Sequence, residues 1–309
     1  MDSWNATQLQ IAAGITFGSL GLLWLWRHLA LRRGRAALRD KVVLITGASS
    51  GLGEACAHAF YRAGSKVILC ARRVKELERV KNDLSSLNLN TPTHSPCVLP
   101  LDLEDLDAIP KKAEEALALH DRVDILVNNG GMGYKGTVVS TEMAVHQKVM
   151  NVNYFGSVAL TKALLPGMIA NRSGHIVAIS SVQGKIAIPY RSAYAASKHA
   201  LNACFDSLRA EVAQHNVHVT VVSPSYIKTN ISYNAVKSDG TRHGELDRTI
   251  ASGMSTDYVV EHILKGVIRI QPDVVLGPFH HGAAIYLRVL FPRLYAWIMA
   301  LRARGGDNE

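Results

Sequence analysis

The feature that most narrows what this chain can fold into is an alternation. From Lys41 onward, short runs rich in β-branched residues recur: KVVLIT (41–46), KVILCA (66–71), CVLPL (97–101), VDILVN (123–128), HIVAIS (175–180) and VHVTVVS (217–223), with a seventh at DVVLG (273–277). Between them, apolar residues fall at helical spacing, as in 52–63, 75–87, 105–119 and 192–214. Strands that are apolar throughout need cover on both faces, and long helical connections make them parallel. The pattern predicts an α/β fold, a doubly wound parallel sheet of about seven strands. No internal repeat, low-complexity tract or linker divides it, so 41–280 reads as one domain.

The first run leads directly into Thr46-Gly47-Ala48-Ser49-Ser50-Gly51-Leu52-Gly53. Strand, glycine turn and helix stand in the order of a Rossmann dinucleotide site, where glycines let the backbone approach a pyrophosphate and the helix N-terminus faces its charge. Gly47, Ser49, Ser50, Gly51, Leu52 and Gly53 are therefore candidate cofactor-binding residues. A plain tight turn is the competing reading. After the second run comes Cys70-Ala71-Arg72-Arg73, with no carboxylate where an NAD site often places one for the ribose hydroxyls. A guanidinium suits a phosphate. Arg72 with Arg73 thus predicts a preference for NADP(H), with NAD(H) possible, unless the two arginines merely begin the next helix.

Tyr194 and Lys198 stand four residues apart near the start of a predicted helix, so they share a face. A tyrosine hydroxyl ordinarily titrates near 10, and a neighbouring ammonium stabilises its phenolate. The pair is a plausible acid/base unit. Ser181 directly follows the fifth run, thirteen positions upstream of Tyr194, on the sheet edge that carries the glycine turn.

In their order TGASSGLG, NNGG, NVNYFG, ISSVQG and YAASK, these motifs resemble the short-chain dehydrogenase/reductase superfamily, over roughly 41–277. The resemblance implies a catalytic tetrad of Asn153, Ser181, Tyr194 and Lys198. Tyr194 would be proton donor or base, and Lys198 would bind the nicotinamide ribose and depress the Tyr194 pKa. Ser181 would bond the substrate carbonyl, and Asn153 would hold a water that links Lys198 to solvent. It also implies that Asp102 contacts adenine, Asn128 the adenosine ribose and Thr229 the nicotinamide carboxamide, and that the protein forms a dimer or tetramer. Two positions depart from the family pattern: Gly131 replaces an alanine, and Ser225 follows Pro224 where glycine is usual.

The formal charge of +9 raises the question of nucleic acid, and its placement argues against it. Arg27, Arg32, Arg33, Arg35, Arg39 and Lys41 cluster against Asp40 alone, and Arg288, Arg293, Arg302 and Arg304 crowd the other end. Such collars suit anionic lipid headgroups. The run LQIAAGITFGSLGLLWLW (9–26) is almost wholly apolar and ends in Trp24 and Trp26. Positive charge follows it rather than precedes it, which favours an uncleaved signal-anchor over a cleaved signal peptide. The expected organisation is a tail (1–8), a transmembrane helix (9–29), a basic segment (30–40), the catalytic domain (41–280) with a polar substrate loop at 226–255, and an apolar extension (281–309). The positive-inside rule puts the domain in the cytosol. Similarity to membrane-anchored members of the superfamily implies the endoplasmic reticulum. The extension, broken at Pro292, suits a bilayer surface or, equally, a core or dimer helix.

The four cysteines, Cys56, Cys70, Cys97 and Cys204, have neither metal-ligand spacing nor a disulfide framework and are expected to be free. No His or acidic cluster predicts a metal. The expected function is NADP(H)-linked hydride transfer on a lipophilic carbonyl or alcohol of steroid, retinoid or keto-lipid type. The alternatives are an NAD-dependent lipid alcohol dehydrogenase and a non-catalytic scaffold that retains the fold.

Overall fold

A computed structural model describes residues 34–89 and 93–305 of the chain. The expected tail and anchor at 1–29 lie outside the described residues. Among those described, no helix is long and apolar enough to cross a membrane.

Seven parallel strands form one sheet: β1 (Val42–Thr46), β2 (Lys66–Ala71), β3 (Cys97–Pro100), β4 (Ile125–Asn128), β5 (Gly174–Ile179), β6 (Val217–Pro224) and β7 (Asp273–Leu276). Their order is β3-β2-β1-β4-β5-β6-β7. Each predicted run is a strand, with ends shifted by a residue or two. The chain winds outward from β1 to β3, then returns to the centre to continue at β4. Loops diverge at this reversal and leave a crevice beyond the carboxyl ends of β1 and β4.

The period-2 pleat sorts the strand side chains into two cores. Val43, Ile45, Val67 and Leu69 pack with Phe60 of α1 (Gly51–Arg62) on one face. Leu44, Ile68 and Leu126 pack on the other face, with Leu160 of α5 (Gly156–Ala170) and Phe205 of α6 (Ser192–Val212). Between α1 and α5 the chain forms α2 (Val74–Ser85), α3 (Ile109–His120) and α4 (Met143–Met150). After α6 come the short α7 (Arg248–Ala251) and α8 (Thr256–Ile268), whose Ile263 and Leu264 join the first core. Burial on both faces explains why β1, β2, β4, β5 and β6 read as continuous apolar runs, while the edge strands β3 and β7 keep exposed positions.

The C-terminal extension is a helical hairpin, α9 (Phe279–Leu290) and α10 (Pro292–Gly305), interrupted at Phe291. Pro292 opens the second helix, where its missing N–H and fixed φ are tolerated. Neither helix contains a buried residue, which rules out the core-helix reading.

The glycine turn is packed too tightly to admit side chains. Gly47 has φ of +67°, a left-handed conformation that a side chain would strain. A Cβ on Gly53 would collide with the Gly47 carbonyl oxygen and the Asn129 side-chain amide, so α1 reaches β1 only because that atom is absent. Gly53→Ala is therefore expected to destabilise the domain by about 1–3 kcal/mol. The check is a lower urea midpoint with an unchanged m-value.

Candidate active site

The crevice contains a cleft of about 640 Å³. Gly47, Ser49, Ser50, Gly51 and Leu52 line one end, with Arg72, Arg73 and Asp102, while Ser181, Tyr194 and Lys198 line the middle. Thr46 closes the floor. Its hydroxyl oxygen accepts from the backbone N–H groups of Asn129 (3.0 Å) and Gly130 (2.8 Å), and the Asn129 amide donates to its carbonyl (2.9 Å). Ser50 is the N-cap of α1, yet its side chain makes no capping bond, so no cap side chain takes up the N–H groups that begin the helix beside the cleft. Its hydroxyl, with that of Ser49, instead accepts from Arg73 Nη2 at 2.7 and 2.9 Å. Thr229 arrives from beyond β6: a Cβ built on Gly51 would lie 3.2 Å from its methyl group. The glycine cradle, the open helix end and the paired guanidiniums fit a dinucleotide.

Tyr194 and Lys198 sit in the first two turns of α6, as their spacing requires. Lys198 Nζ donates to the Ile179 carbonyl at 2.8 Å and lies 5.7 Å from the centre of the Tyr194 ring. Burial lowers the Lys198 pKa to about 8. For Tyr194 burial dominates and raises the pKa; the hydrogen bond with Ser181 and the charge of Arg191 oppose it. This corrects the expected net depression: in the chain alone, desolvation of the phenolate outweighs the groups that favour it. Ser181 lies two residues past β5 and lines the cleft; its hydroxyl accepts from Gln183 N at 3.1 Å and donates to Pro224 O at 3.4 Å.

Asn153 is fully buried in a single wide π turn (Asn151–Phe155), a distortion common at functional sites. Its Nδ2 donates to Met132 O and Ser197 Oγ, both at 3.0 Å, and its Oδ1 accepts from Met132 N at 2.7 Å. The side chain clasps the loop after β4 to α6. Gly131 allows this closeness, since a Cβ there would stand 3.1 Å from Asn153 Oδ1. Asn128 also differs from expectation. It is buried, donates to Thr161 Oγ1 at 2.9 Å and does not line the cleft, whereas the next residue, Asn129, does. Neighbouring positions of an extended chain face opposite ways.

Several cleft residues are absent from the sequence motifs. Asp247, from the 226–255 segment, bonds Arg191 Nη2 (2.6 Å) and Lys135 Nζ (3.4 Å), tying that segment across the cleft. His281 and Arg302 reach in from α9 and α10. His281 Nδ1 lies 2.6 Å from Ser225 Oγ, and Arg302 donates to the Tyr226 hydroxyl at 3.2 Å. The departure at Ser225 thus has a partner. The signal was the unusual Ser225 itself; nothing local pointed to a residue 56 positions away. All four cysteines are free, and Cys56 and Cys70 are buried.

Lys198 gives a pH-dependent expectation. Below about pH 8 it is protonated in the folded and unfolded chain alike, and the cost of its burial is fully present. Between about 8 and its ordinary value of 10.5 the unfolded chain holds a proton that the folded chain has released, so stability rises with pH. Compared with Lys198→Met, the parent should gain stability across that window. Parallel denaturation profiles for the two proteins would contradict this.

The family model for short chain dehydrogenase matches residues 41–240. The Drosophila melanogaster protein "Dehydrogenase/reductase SDR family protein 7-like" is 55% identical over 289 residues, covering 94% of this chain and 88% of its own length. "Dehydrogenase/reductase SDR family member 7B" of Rattus norvegicus is 52% identical over 291 residues, covering 94% and 90%. Among solved structures, a metagenomic short-chain oxidoreductase in complex with NADP is 30% identical with a TM-score of 0.61, covering 78% of this chain and 96% of its own. Sheet order, glycine turn and the Ser181–Tyr194–Lys198 grouping agree with these matches: the chain belongs to the short-chain dehydrogenase/reductase family of oxidoreductases.

Proposed function

We propose that this protein transfers hydride between NADP(H) and a lipophilic carbonyl or alcohol of steroid, retinoid or keto-lipid type. The observation that carries the reading is one cleft with two guanidiniums at one end and an acid/base pair in the middle. Arg72 and Arg73 follow β2, whose end carries no carboxylate of its own, and forked donors suit a ribose phosphate. The likeness to an oxidoreductase solved with NADP supports the same cofactor. When bound, the nicotinamide supplies or takes up the hydride.

The protein's own residues manage the proton. Tyr194 gives its phenolic proton to the carbonyl oxygen in reduction and takes it back in oxidation. Ser181 donates to the same oxygen and steers it toward Tyr194. The Lys198 ammonium favours the phenolate and holds the nicotinamide ribose, while Thr229 takes the carboxamide. Asp102 and Asn129 flank the adenosine. Asn153 is a positioning residue that sets the distance between the loop after β4 and α6.

The lipophilic character rests on the substrate end of the cleft, where Met132, Val182, Ile186, Ile188, Ile231 and Ile250 present apolar surface. It rests also on the apolar run at 9–26 with its basic collar, which we read as a single anchor in the endoplasmic reticulum membrane with the domain in the cytosol. Protease treatment of intact microsomes should digest the domain, and a protected domain refutes that orientation.

Two variants test the chemistry. Tyr194→Phe should lower kcat by roughly 10²–10⁴-fold while NADPH affinity is kept; unchanged turnover removes Tyr194 from the mechanism. Arg72→Ala with Arg73→Ala should weaken NADPH binding at least tenfold and leave NADH within about twofold, since a charge-assisted bidentate contact is worth on the order of 1.5–3 kcal/mol. Tighter binding of NADH than NADPH by the parent protein would overturn the cofactor assignment.

A further inference from the structure

The hairpin of α9 and α10 has two faces of different chemistry. On the inner face His281, Ala284 and Arg288 follow each other at helical spacing, as do Tyr295, Met299 and Arg302. Of these, His281, Arg288, Tyr295 and Arg302 bond the hairpin to the loops around the cleft. Besides the contacts of His281 and Arg302, Arg288 Nη1 donates to Lys185 O at 2.7 Å and Tyr295 Oη to Ala187 O at 2.6 Å. Tyr190 Oη donates back to Ala303 O at 2.8 Å.

The outer face is apolar. Phe279, Tyr286 and Leu290 repeat at i, i+7 and i+11 along α9, and Leu294, Trp297 and Leu301 at i, i+3 and i+7 along α10. All six are exposed, Phe279 at 91%, Tyr286 at 71% and Trp297 at 59%, and Val289 and Phe291 widen the patch. A soluble monomer rarely leaves so many large apolar side chains together in water. From Phe279 to Gly305 the sequence has four arginines and no Asp or Glu. Exposed aromatics with arginine and no acid are the composition of a surface that enters the headgroup layer of a bilayer. The same charge argues against a second copy, because a self-complementary contact would set arginines against arginines.

We infer that the outer face of this hairpin docks into the headgroup region of an anionic bilayer, with Phe279, Tyr286, Leu290, Leu294, Trp297 and Leu301 as the inserted side chains. The inference rests on the membrane reading given above. It adds a second, surface contact beside the substrate end of the cleft. His281 and Arg302 line that cleft from the opposite side of the same two helices, so the docked hairpin sets the cleft mouth at the lipid surface.

The test uses the full chain with Cys97→Ser and Cys204→Ser, reconstituted with vesicles of phosphatidylcholine alone or with phosphatidylserine. An environment-sensitive fluorophore is placed at Val289→Cys, Trp297→Cys or, as a control on an exposed site outside the hairpin, Val139→Cys. At 289 and 297, doxyl-labelled lipid should quench the probe and aqueous iodide should reach it at least threefold less well than at 139. Adding Arg293→Glu with Arg304→Glu should reduce the lipid quenching at least twofold on anionic vesicles. If the protein floats with the vesicles but 289 and 297 remain as open to iodide as 139, the anchor stands and the docking fails. Shielding from iodide without lipid quenching means that protein covers the face, a second copy or the 9–26 segment, and also overturns the inference. A chain that floats with neither vesicle type refutes the anchor and the docking together.

Discussion

The site depends on how closely the ends of β1 and β4 are drawn together. Thr46 does this with one hydroxyl and one carbonyl, receiving two backbone N–H groups and the Asn129 amide. A parallel sheet alone opens a crevice at its winding reversal but fixes no distances there. The Thr46 contacts hold Asn129 and Gly130 against the glycine turn, and Asn129 in turn bars any side chain at Gly53. The glycine turn and the loop leading to Asn153 are therefore joined by direct contacts. Buried hydrogen bonds of this kind cost little to keep and much to break, since each lost partner leaves a desolvated group behind.

Burial works differently in the catalytic half. It pushes the Lys198 pKa down and the Tyr194 pKa up, so each group is moved toward its neutral form. The two shifts narrow the gap between an ammonium that ordinarily titrates at 10.5 and a phenol at 10.0, and then reverse their order. Lysine becomes the more acidic member of the pair. Ser181 and Arg191 recover part of the phenolate's stability through direct contact and charge. The acid/base behaviour therefore depends on the dielectric of the pocket as much as on the Tyr-x-x-x-Lys spacing.

The fold was legible because sheet strands buried on both faces leave an unbroken apolar signature, and each predicted run became a strand. The glycine turn, Ser181, Tyr194 and Lys198 were legible for a related reason: their geometry is set within one turn or one strand end. What could not be read depends on contacts between distant segments. The sequence does not say which of Asn128 and Asn129 faces the cleft, because a one-residue shift at the end of β4 exchanges them. Arg72 and Arg73 are adjacent and alike, and only the packing shows Arg73 on the two serines. The Asp247 tie to Arg191 and Lys135 joins a polar loop to two separate segments, and no local pattern encodes it. The direction of the Tyr194 shift is likewise not legible, because spacing shows the neighbouring charge but not the depth of burial.

The C-terminal hairpin is fastened chiefly by polar contacts and contributes no buried side chain to either core. With no side chain in the cores, its opening is expected to be a local event, separable from global unfolding. Mutations that damage the cores are removed by selection on folding, but those on the hairpin's inner face escape that filter. Substrate range can therefore drift at His281, Arg302 and their neighbours while the hydride machinery stays fixed, because the wall that shapes the pocket is not part of the frame that holds it up.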